Sequence, residues 1–276
     1  MHTILTNKVT LVTGVSSGIG REIAQLLAQR GARVFGTARN PKSAKPIPGV
    51  EIVRMDVTDD ASVSEAIQGI VQKAGPVEVL VNNAGYGLTG ALEETTLKEA
   101  RDQFETNFFG VIRVTQQVLP IMRNLQNGGG SIVNVSSING LVPFPVISAY
   151  VGTKFALEGL SESMSYELEP FGIKVILIEP GAIGSNFMKG SVLSKRALDP
   201  ESPYSEFVQK VRVKISSDHE NATQPEEVAK TIVQAILTEK PEFRYVVGSD
   251  ALNLLEARKN MPYSEFQKMI IQNVKQ

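Results

Sequence analysis

Lys8-Val9-Thr10-Leu11-Val12-Thr13 runs directly into Gly14-Val15-Ser16-Ser17-Gly18-Ile19-Gly20, and that turn opens onto Arg21-Glu22-Ile23-Ala24-Gln25-Leu26-Leu27-Ala28. The first six residues read as a short apolar strand, and the last eight are helix formers. Strand, glycine-rich turn and helix is the context in which helix N–H groups hold a phosphate. Gly14 is expected to permit the tight turn, Gly18 to let the backbone approach a pyrophosphate, and Gly20 to let helix and strand pack closely. Three residues separate the first two glycines, against one in the usual Gly-x-Gly-x-x-Gly pattern. The plain alternative is a turn that only connects two elements.

Outward from this unit, strands and helices alternate. Gly31 supplies a carboxy-terminal cap for the first helix. Arg33-Val34-Phe35-Gly36-Thr37 and Val50-Glu51-Ile52-Val53-Arg54 read as the next two strands. Thr58-Asp59-Asp60 offers capping side chains to a helix that leads to the buried strand Val77-Glu78-Val79-Leu80-Val81. Thr96-Leu97-Lys98-Glu99 reads as a capping box opening a long helical stretch broken near Gly110. Ser131-Ile132-Val133-Asn134-Val135-Ser136 and Lys174-Val175-Ile176-Leu177-Ile178 are further strands, Thr223-Gln224-Pro225-Glu226 caps another helix, and Tyr245-Val246-Val247 closes the sheet. This alternation predicts an α/β fold, a parallel sheet with helices on both faces and right-handed crossovers. Two stretches exceed that minimum: about 184–221, which reads as a substrate lid or a surface insertion, and a helical tail at about 250–276. Both follow strands at their carboxyl ends, the edge where open α/β sheets bind ligands.

At 276 residues the chain fits one domain, 1–276, with no linker and with 42% apolar residues to cover both faces of a sheet. A net charge of −1 gives no footprint for nucleic acid or anionic membrane. Cysteine is absent, so disulfides, thiolate catalysis and sulfur-based zinc sites are excluded. Only His2 and His219 occur, which argues against a histidine metal centre or a Ser-His-Asp triad, and no metal is expected. Met1-His2-Thr3-Ile4-Leu5-Thr6 lacks the apolar run of a signal peptide or anchor. The expectation is a soluble cytoplasmic protein with no membrane insertion.

Chemistry is concentrated in Ser148-Ala149-Tyr150-Val151-Gly152-Thr153-Lys154, which sets a phenol and an ammonium four residues apart, with Tyr150 thirteen residues after Ser137. On a helix that spacing puts both on one face. A nearby positive charge favours the phenolate, so Tyr150 is expected to fall below the ordinary tyrosine value of about 10. A tyrosine so tuned gives a proton to a carbonyl oxygen or takes one from an alcohol. Alone, the pair also fits a half-buried aromatic beside a solvated lysine.

Thr13-Gly14-x-x-x-Gly18-Ile19-Gly20, Asn82-Asn83-Ala84-Gly85, Asn107, Ser137, Tyr150-x-x-x-Lys154 and Pro180-Gly181 stand in the order and spacing of the short-chain dehydrogenase/reductases. From about Lys8 to Ser185 the chain resembles that family. Its tail, Arg244-Tyr245-Val246-Val247-Gly248-Ser249-Asp250-Ala251, resembles the subgroup around 17β-hydroxysteroid dehydrogenase type 1 and the retinol dehydrogenases. The resemblance implies a single Rossmann-type, doubly wound sheet of order 3-2-1-4-5-6-7. It also implies four catalytic residues: Tyr150 as general acid in reduction and base in oxidation, Lys154 to lower its pKa and bond the nicotinamide ribose, Ser137 to hold the carbonyl oxygen, and Asn107 to position a water.

The same resemblance implies a nicotinamide dinucleotide along the strand ends. Gly14, Ser16, Ser17, Gly18, Ile19 and Gly20 would hold the pyrophosphate side, Asp56 and Val57 the adenine ring, and Asn83, Ala84 and Gly85 the ribose. Pro180, Gly181, Ile183 and Ser185 would meet the nicotinamide, with a serine where relatives usually carry threonine. Ala38 stands where NAD-preferring relatives carry aspartate, and Arg39 follows it. A guanidinium pairs bidentately with a phosphate dianion, so NADP(H) is preferred, with NAD(H) possible. Leu141-Val142-Pro143-Phe144-Pro145-Val146-Ile147, Tyr86, Leu88, Phe187, Met188, Val192 and Leu193 suggest an apolar ketone, aldehyde or alcohol as substrate. Val111, Val114, Val118, Phe155 and Leu160 are candidate contacts of a homodimer or homotetramer, or else residues that face the core. A catalytically silent NADP(H)-binding sensor or assembly protein is the competing reading.

Overall fold

The computed structural model describes residues 5–125, 129–184, 191–217 and 222–275. Seven parallel strands form the central sheet: β1 (Val9–Val12), β2 (Arg33–Ala38), β3 (Val50–Arg54), β4 (Val79–Asn82), β6 (Ser131–Val135), β7 (Lys174–Pro180) and β9 (Arg244–Val247). Two further short strands, β5 (Leu88–Thr89) and β8 (Val192–Leu193), pair with each other outside it. The spatial order is β3-β2-β1-β4-β6-β7-β9. Counting only the central strands, this is the order 3-2-1-4-5-6-7 that the resemblance implied, and the fold is a Rossmann-type doubly wound sheet.

Successive residues along a strand point to opposite faces, and both faces here are apolar. Val12, Val81, Val133 and Ile176 pack with α1 (Gly18–Gln29) and α7 (Pro225–Leu237) through Ile23, Leu27, Ile232 and Val233. Their neighbours Leu11, Leu80, Ile132 and Val175 pack with α2 (Asp60–Ala74), α4 (Gly110–Arg123) and α5 (Ser148–Leu168) through Ile67, Val114, Val118 and Met164. Val114 and Val118 are therefore fully buried core residues and Val111 is 6% exposed. Of the two readings the sequence allows, subunit contact or core, these three take the core, whereas Phe155 is 42% exposed.

Local chemistry fixes the helix ends. Asp59 accepts the Ser62 N–H at the start of α2, 2.9 Å away. Thr96 and Glu99 form the reciprocal capping box of α3 (Leu97–Phe104). The predicted break before Gly110 is a π-helical turn, Glu105–Phe109, that carries Asn107. At α7 the capping differs from expectation. Gln224 is the N-cap and makes no side-chain cap bond, because its amide donates to the Ala222 carbonyl at 3.1 Å; Pro225 begins the helix instead. The chain ends in α6 (Ser205–Ser217), α7, and, after β9, α8 (Ser249–Asn260) and α9 (Tyr263–Lys275). Among the described residues no helix is long and apolar enough to cross a membrane.

Candidate functional site

Parallel strands end on one edge, and every sequence-predicted site residue that is described sits there. After β1, Gly14 and Gly18 have φ of 75° and 60°, the left-handed region that glycine tolerates. Gly14 lies against Ala84, whose Cα would be 2.8 Å from an added Cβ. At Gly20 an added Cβ would meet Asn83 Nδ2 at 2.3 Å and the Gly14 carbonyl at 2.4 Å, so the helix start packs closely on the residues that follow β1 and β4. Asn83, just past β4, donates its carboxamide to the Thr13 carbonyl at 2.9 Å and the Gly14 carbonyl at 3.0 Å. Thr13 Oγ1 in turn accepts the N–H groups of Asn83 and Ala84 at 2.9 and 3.0 Å. The turn is thus tied to the neighbouring strand end. Ser17, the N-cap of α1, makes no side-chain cap bond, and Ser16 and Ser17 are exposed. The first-turn N–H groups of α1 are left to an anion, so the residues present fit a dinucleotide phosphate.

At the end of β2, Ala38 is buried, and Arg39 just beyond it is exposed. Past β3, Asp56 accepts the Thr58 N–H and hydroxyl at 3.0 and 2.8 Å. Burial works against its ionisation, but those bonds and the charges of Arg39 and Arg54 hold its carboxyl below the ordinary value. Val57 is buried against Gly110. Beyond β7, Asp250 Oδ2 accepts the Ala182 N–H at 2.7 Å and crowds Gly181, fixing the loop from Pro180 to Ile183. Ser185, Phe187 and Met188 lie outside the described residues.

Ser137 follows β6, and its Oγ accepts the Asn139 N–H at 3.1 Å and shares a hydrogen bond with the Tyr150 hydroxyl. Ser136 turns the other way and donates to Glu158. Tyr150 lies in the first turn of α5, and Lys154, one turn on, donates from Nζ to the Val135 carbonyl at 2.9 Å. The ammonium stands 5.6 Å from the centre of the Tyr150 ring. Asn107 accepts the Tyr86 N–H at 3.1 Å and donates to the Tyr86 carbonyl at 2.9 Å, with a longer contact of 3.4 Å to Thr153 Oγ1. The site therefore brings Ser137, Tyr150 and Lys154 together, with Asn107 bracing the loop that follows Gly85.

One expectation reverses. Tyr150 is not acidified: burial pushes it up to about 12, against the lowering effect of the Ser137 hydrogen bond. Burial likewise lowers Lys154 to about 8, opposed by the Glu158 carboxylate. Desolvation penalises whichever form is charged, so the phenol gains and the ammonium loses, and at this site it outweighs the Ser137 hydrogen bond at one and the Glu158 charge at the other.

Several proposed pocket residues pack behind the site. Leu141 and Val142 join Ala251, Phe266 and Ile270 of the tail helices, and Val146 joins Ala197, Val208 and Val274. Val146 holds φ at 58°, a strained value for a β-branched residue, while its carbonyl accepts the Gly90 N–H at 2.7 Å. The segment carrying β8 is held to the 88–99 region by the β5 pairing, by Lys195 N–H to Glu99 at 2.9 Å and by Tyr204 to Glu93 at 2.7 Å. Sequence reading missed the charge cluster behind Tyr150. Arg244 on β9 bonds Glu158 and Glu162 of α5 and Glu179 of β7. Glu158 was legible in part, since it repeats the four-residue step from Lys154; Glu179 and Arg244 carry no local signal.

Residues 8–196 match the sequence profile described as short chain dehydrogenase. Over 241 residues the chain is 37% identical to a 3-ketodihydrosphingosine reductase of Bacteroides thetaiotaomicron, covering 87% of this chain and 88% of that one. It is 34% identical to human 17-beta-hydroxysteroid dehydrogenase type 1 over 271 residues, covering 92% and 81%. The crystal structure of a short-chain dehydrogenase from Streptomyces avermitilis superposes with a TM-score of 0.82 at 40% identity, covering 95% of each chain.

Glu179 yields a pH-dependent stability. Burial first, and Glu158 next, push its carboxyl from 4.5 to about 7 against the pull of Arg244. A raised folded-state value means its contribution is complete below pH 4.5 and is lost as pH rises through about 7. Glu179→Gln has no such titration. Thermal unfolding at several pH values between 5 and 8 should give a melting difference, variant minus wild type, that becomes more positive with rising pH. A difference independent of pH would show that Glu179 does not titrate there.

Proposed function

Because the chain belongs to the short-chain dehydrogenase family, we propose that it is an NADP(H)-dependent oxidoreductase interconverting an apolar ketone or aldehyde and the corresponding alcohol. The observation that carries this reading is the hydrogen bond between Tyr150 and Ser137, with Lys154 one helical turn away. The dinucleotide, when bound, supplies or accepts the hydride. Gly14, Ser16, Ser17, Gly18, Ile19 and Gly20 would hold its phosphates, Asp56 and Val57 its adenine end, and Asn83, Ala84 and Gly85 its ribose. Pro180, Gly181, Ile183 and Ser185 would hold its nicotinamide end, with Tyr150 and Lys154 close by.

The chain's own residues manage the oxygen and one proton. A substrate carbonyl oxygen placed between the Ser137 and Tyr150 hydroxyls accepts a hydrogen bond from each, so charge developing on it is met by fixed donors. Tyr150, pushed up to about 12, holds its proton at neutral pH and can deliver it to that oxygen. Lys154 stays protonated below about 8 and offsets the negative charge left on the phenol. In oxidation the same groups run in reverse. Residues 184–221 act as a lid in this reading, supported by the bonds that tie Lys195 and Tyr204 to the 88–99 region. An apolar substrate is supported by Phe144 and Leu193 along that edge and by the names of the two relatives, one acting on a ketosphingoid and one on a steroid.

Tyr150→Phe should fold and bind cofactor but lose turnover by about 10²- to 10⁴-fold, the usual worth of general acid–base catalysis. Steady-state reduction of a panel of apolar ketones and aldehydes with NADPH measures this. More than about a tenth of the wild-type rate left in the variant would remove Tyr150 as the proton donor.

Cofactor choice rests on Arg39, which is exposed after β2 and whose charge reaches both Asp56 and Tyr86. A charge-assisted bond to a 2′-phosphate favours NADPH over NADH by about ten- to a hundredfold. Replacing Ala38→Asp with Arg39→Leu should shift the ratio of kcat/KM for the two cofactors toward NADH. An unchanged ratio would place the selectivity elsewhere.

Assembly as a homodimer or homotetramer is supported by exposed Phe155 and Phe109, 42% and 46% accessible on α5 and the π turn. Light scattering at micromolar concentration should give twice or four times the chain mass, and a monomer would end this proposal.

A further inference from the structure

We propose that Glu158 is a positioning residue, anchored by Arg244, that keeps Lys154 charged and holds the strand end carrying Ser137. The proposal rests on the oxidoreductase reading above and adds a residue to it. Glu158 lies one helical turn beyond Lys154 on α5 and is 6% exposed. One of its oxygens accepts the Ser136 hydroxyl, the residue directly before Ser137. Its other oxygen pairs with Arg244, which reaches across from β9 and also binds Glu179 at 2.7 Å and Glu162 at 3.0 Å. The turn after Ser137 is moulded to this carboxylate. A Cβ at Gly140 would stand 2.9 Å from Glu158 Cγ and Oε1 and 3.0 Å from Ser136 Oγ.

Lys154 is buried, and its ammonium donates to the Val135 carbonyl. The charge that opposes its desolvation is Glu158. The titratable groups nearest the pair are Tyr150 and Glu162 on α5, Glu179 on β7 and Arg244 on β9. Glu105 of the π turn is tied to Arg113, and Asp250 of α8 to the Ala182 N–H. With Glu179 protonated, the cations Lys154 and Arg244 face the anions Glu158 and Glu162, and the cluster is balanced. Glu179 is the surplus acid, raised to about 7 by burial and by Glu158. Arg244 thereby joins the carboxylate beside Lys154 to the last strand, and removing one buried partner of such a pair exposes the other's cost.

The test has a readout independent of turnover. Protein labelled with ¹³C at the lysine ε-carbon is titrated by NMR without cofactor, with Lys154 assigned through Lys154→Arg. Glu158→Gln keeps the shape and an oxygen acceptor for Ser136 but removes the charge, so the Lys154 midpoint should fall by about one unit. The alkaline limb of kcat/KM for carbonyl reduction should move to lower pH with it, since reduction needs Lys154 charged. Ser136→Ala, which removes the hydrogen bond and no charge, should leave the Lys154 midpoint in place. Should Glu158→Gln fail to fold, Arg244→Gln tests the anchor: it frees the Glu158 carboxylate from β9, and the Lys154 midpoint should fall. A midpoint unmoved in either folded variant overturns the proposal. A wild type that reduces no carbonyl overturns the oxidoreductase reading instead, while the Lys154 titration still decides the charge coupling.

Discussion

Asn83 donating both carboxamide hydrogens to the carbonyls of Thr13 and Gly14 is the contact on which the site depends. It joins the ends of two adjacent parallel strands, and it occupies the space that a side chain at Gly20 would need. The backbone of the turn is thereby held in the left-handed conformation that Gly14 and Gly18 supply. Its N–H groups are left facing outward at the start of α1. A turn with such a brace presents its donors without a rearrangement, which is what recognition of a phosphate by a helix start requires.

A second constraint comes from placing Tyr150 and Lys154 under cover. Burial moves a phenol and an ammonium in opposite senses, up to about 12 and down to about 8. Between the two values the phenol holds its proton while the lysine gives its own up. The surrounding residues oppose both shifts. Ser137 addresses the hydroxyl, and Glu158 supports the ammonium. The cluster of Glu158, Glu179 and Arg244 spans α5, β7 and β9, so the charge state of the site is bound to the packing of the sheet edge.

The carboxy-terminal helices lie beyond residues 8–196, the span that matches the family profile. Through Phe266 and Ile270 they pack on Ile138, Leu141 and Val142, directly after Ser137. Asp250 takes the Ala182 N–H at the far side of the same edge. The tail therefore braces two loops at once, the one following β6 and the one following β7. This accounts for the inward turn of side chains that first read as pocket lining.

The sequence by itself determined the strands, their two apolar faces and the glycine-rich turn, because these depend on local rules: a period of two along a strand, φ above zero at a glycine, capping oxygens at Asp59 and Thr96. It also determined that Tyr150 and Lys154 share a helix face, since a spacing of four on a helix survives folding, whereas Ser137 joined them only through the family resemblance. The tertiary structure alone decided the rest. Residues 65 to 86 positions apart meet at Arg244, and no window of sequence contains them. Ser136 and Ser137 are neighbours of one type, but the pleat sends one to Glu158 and the other to Tyr150. The direction of the Tyr150 shift likewise depends on how deeply the helix is covered, and depth of burial is a property of packing that a spacing of four residues does not carry.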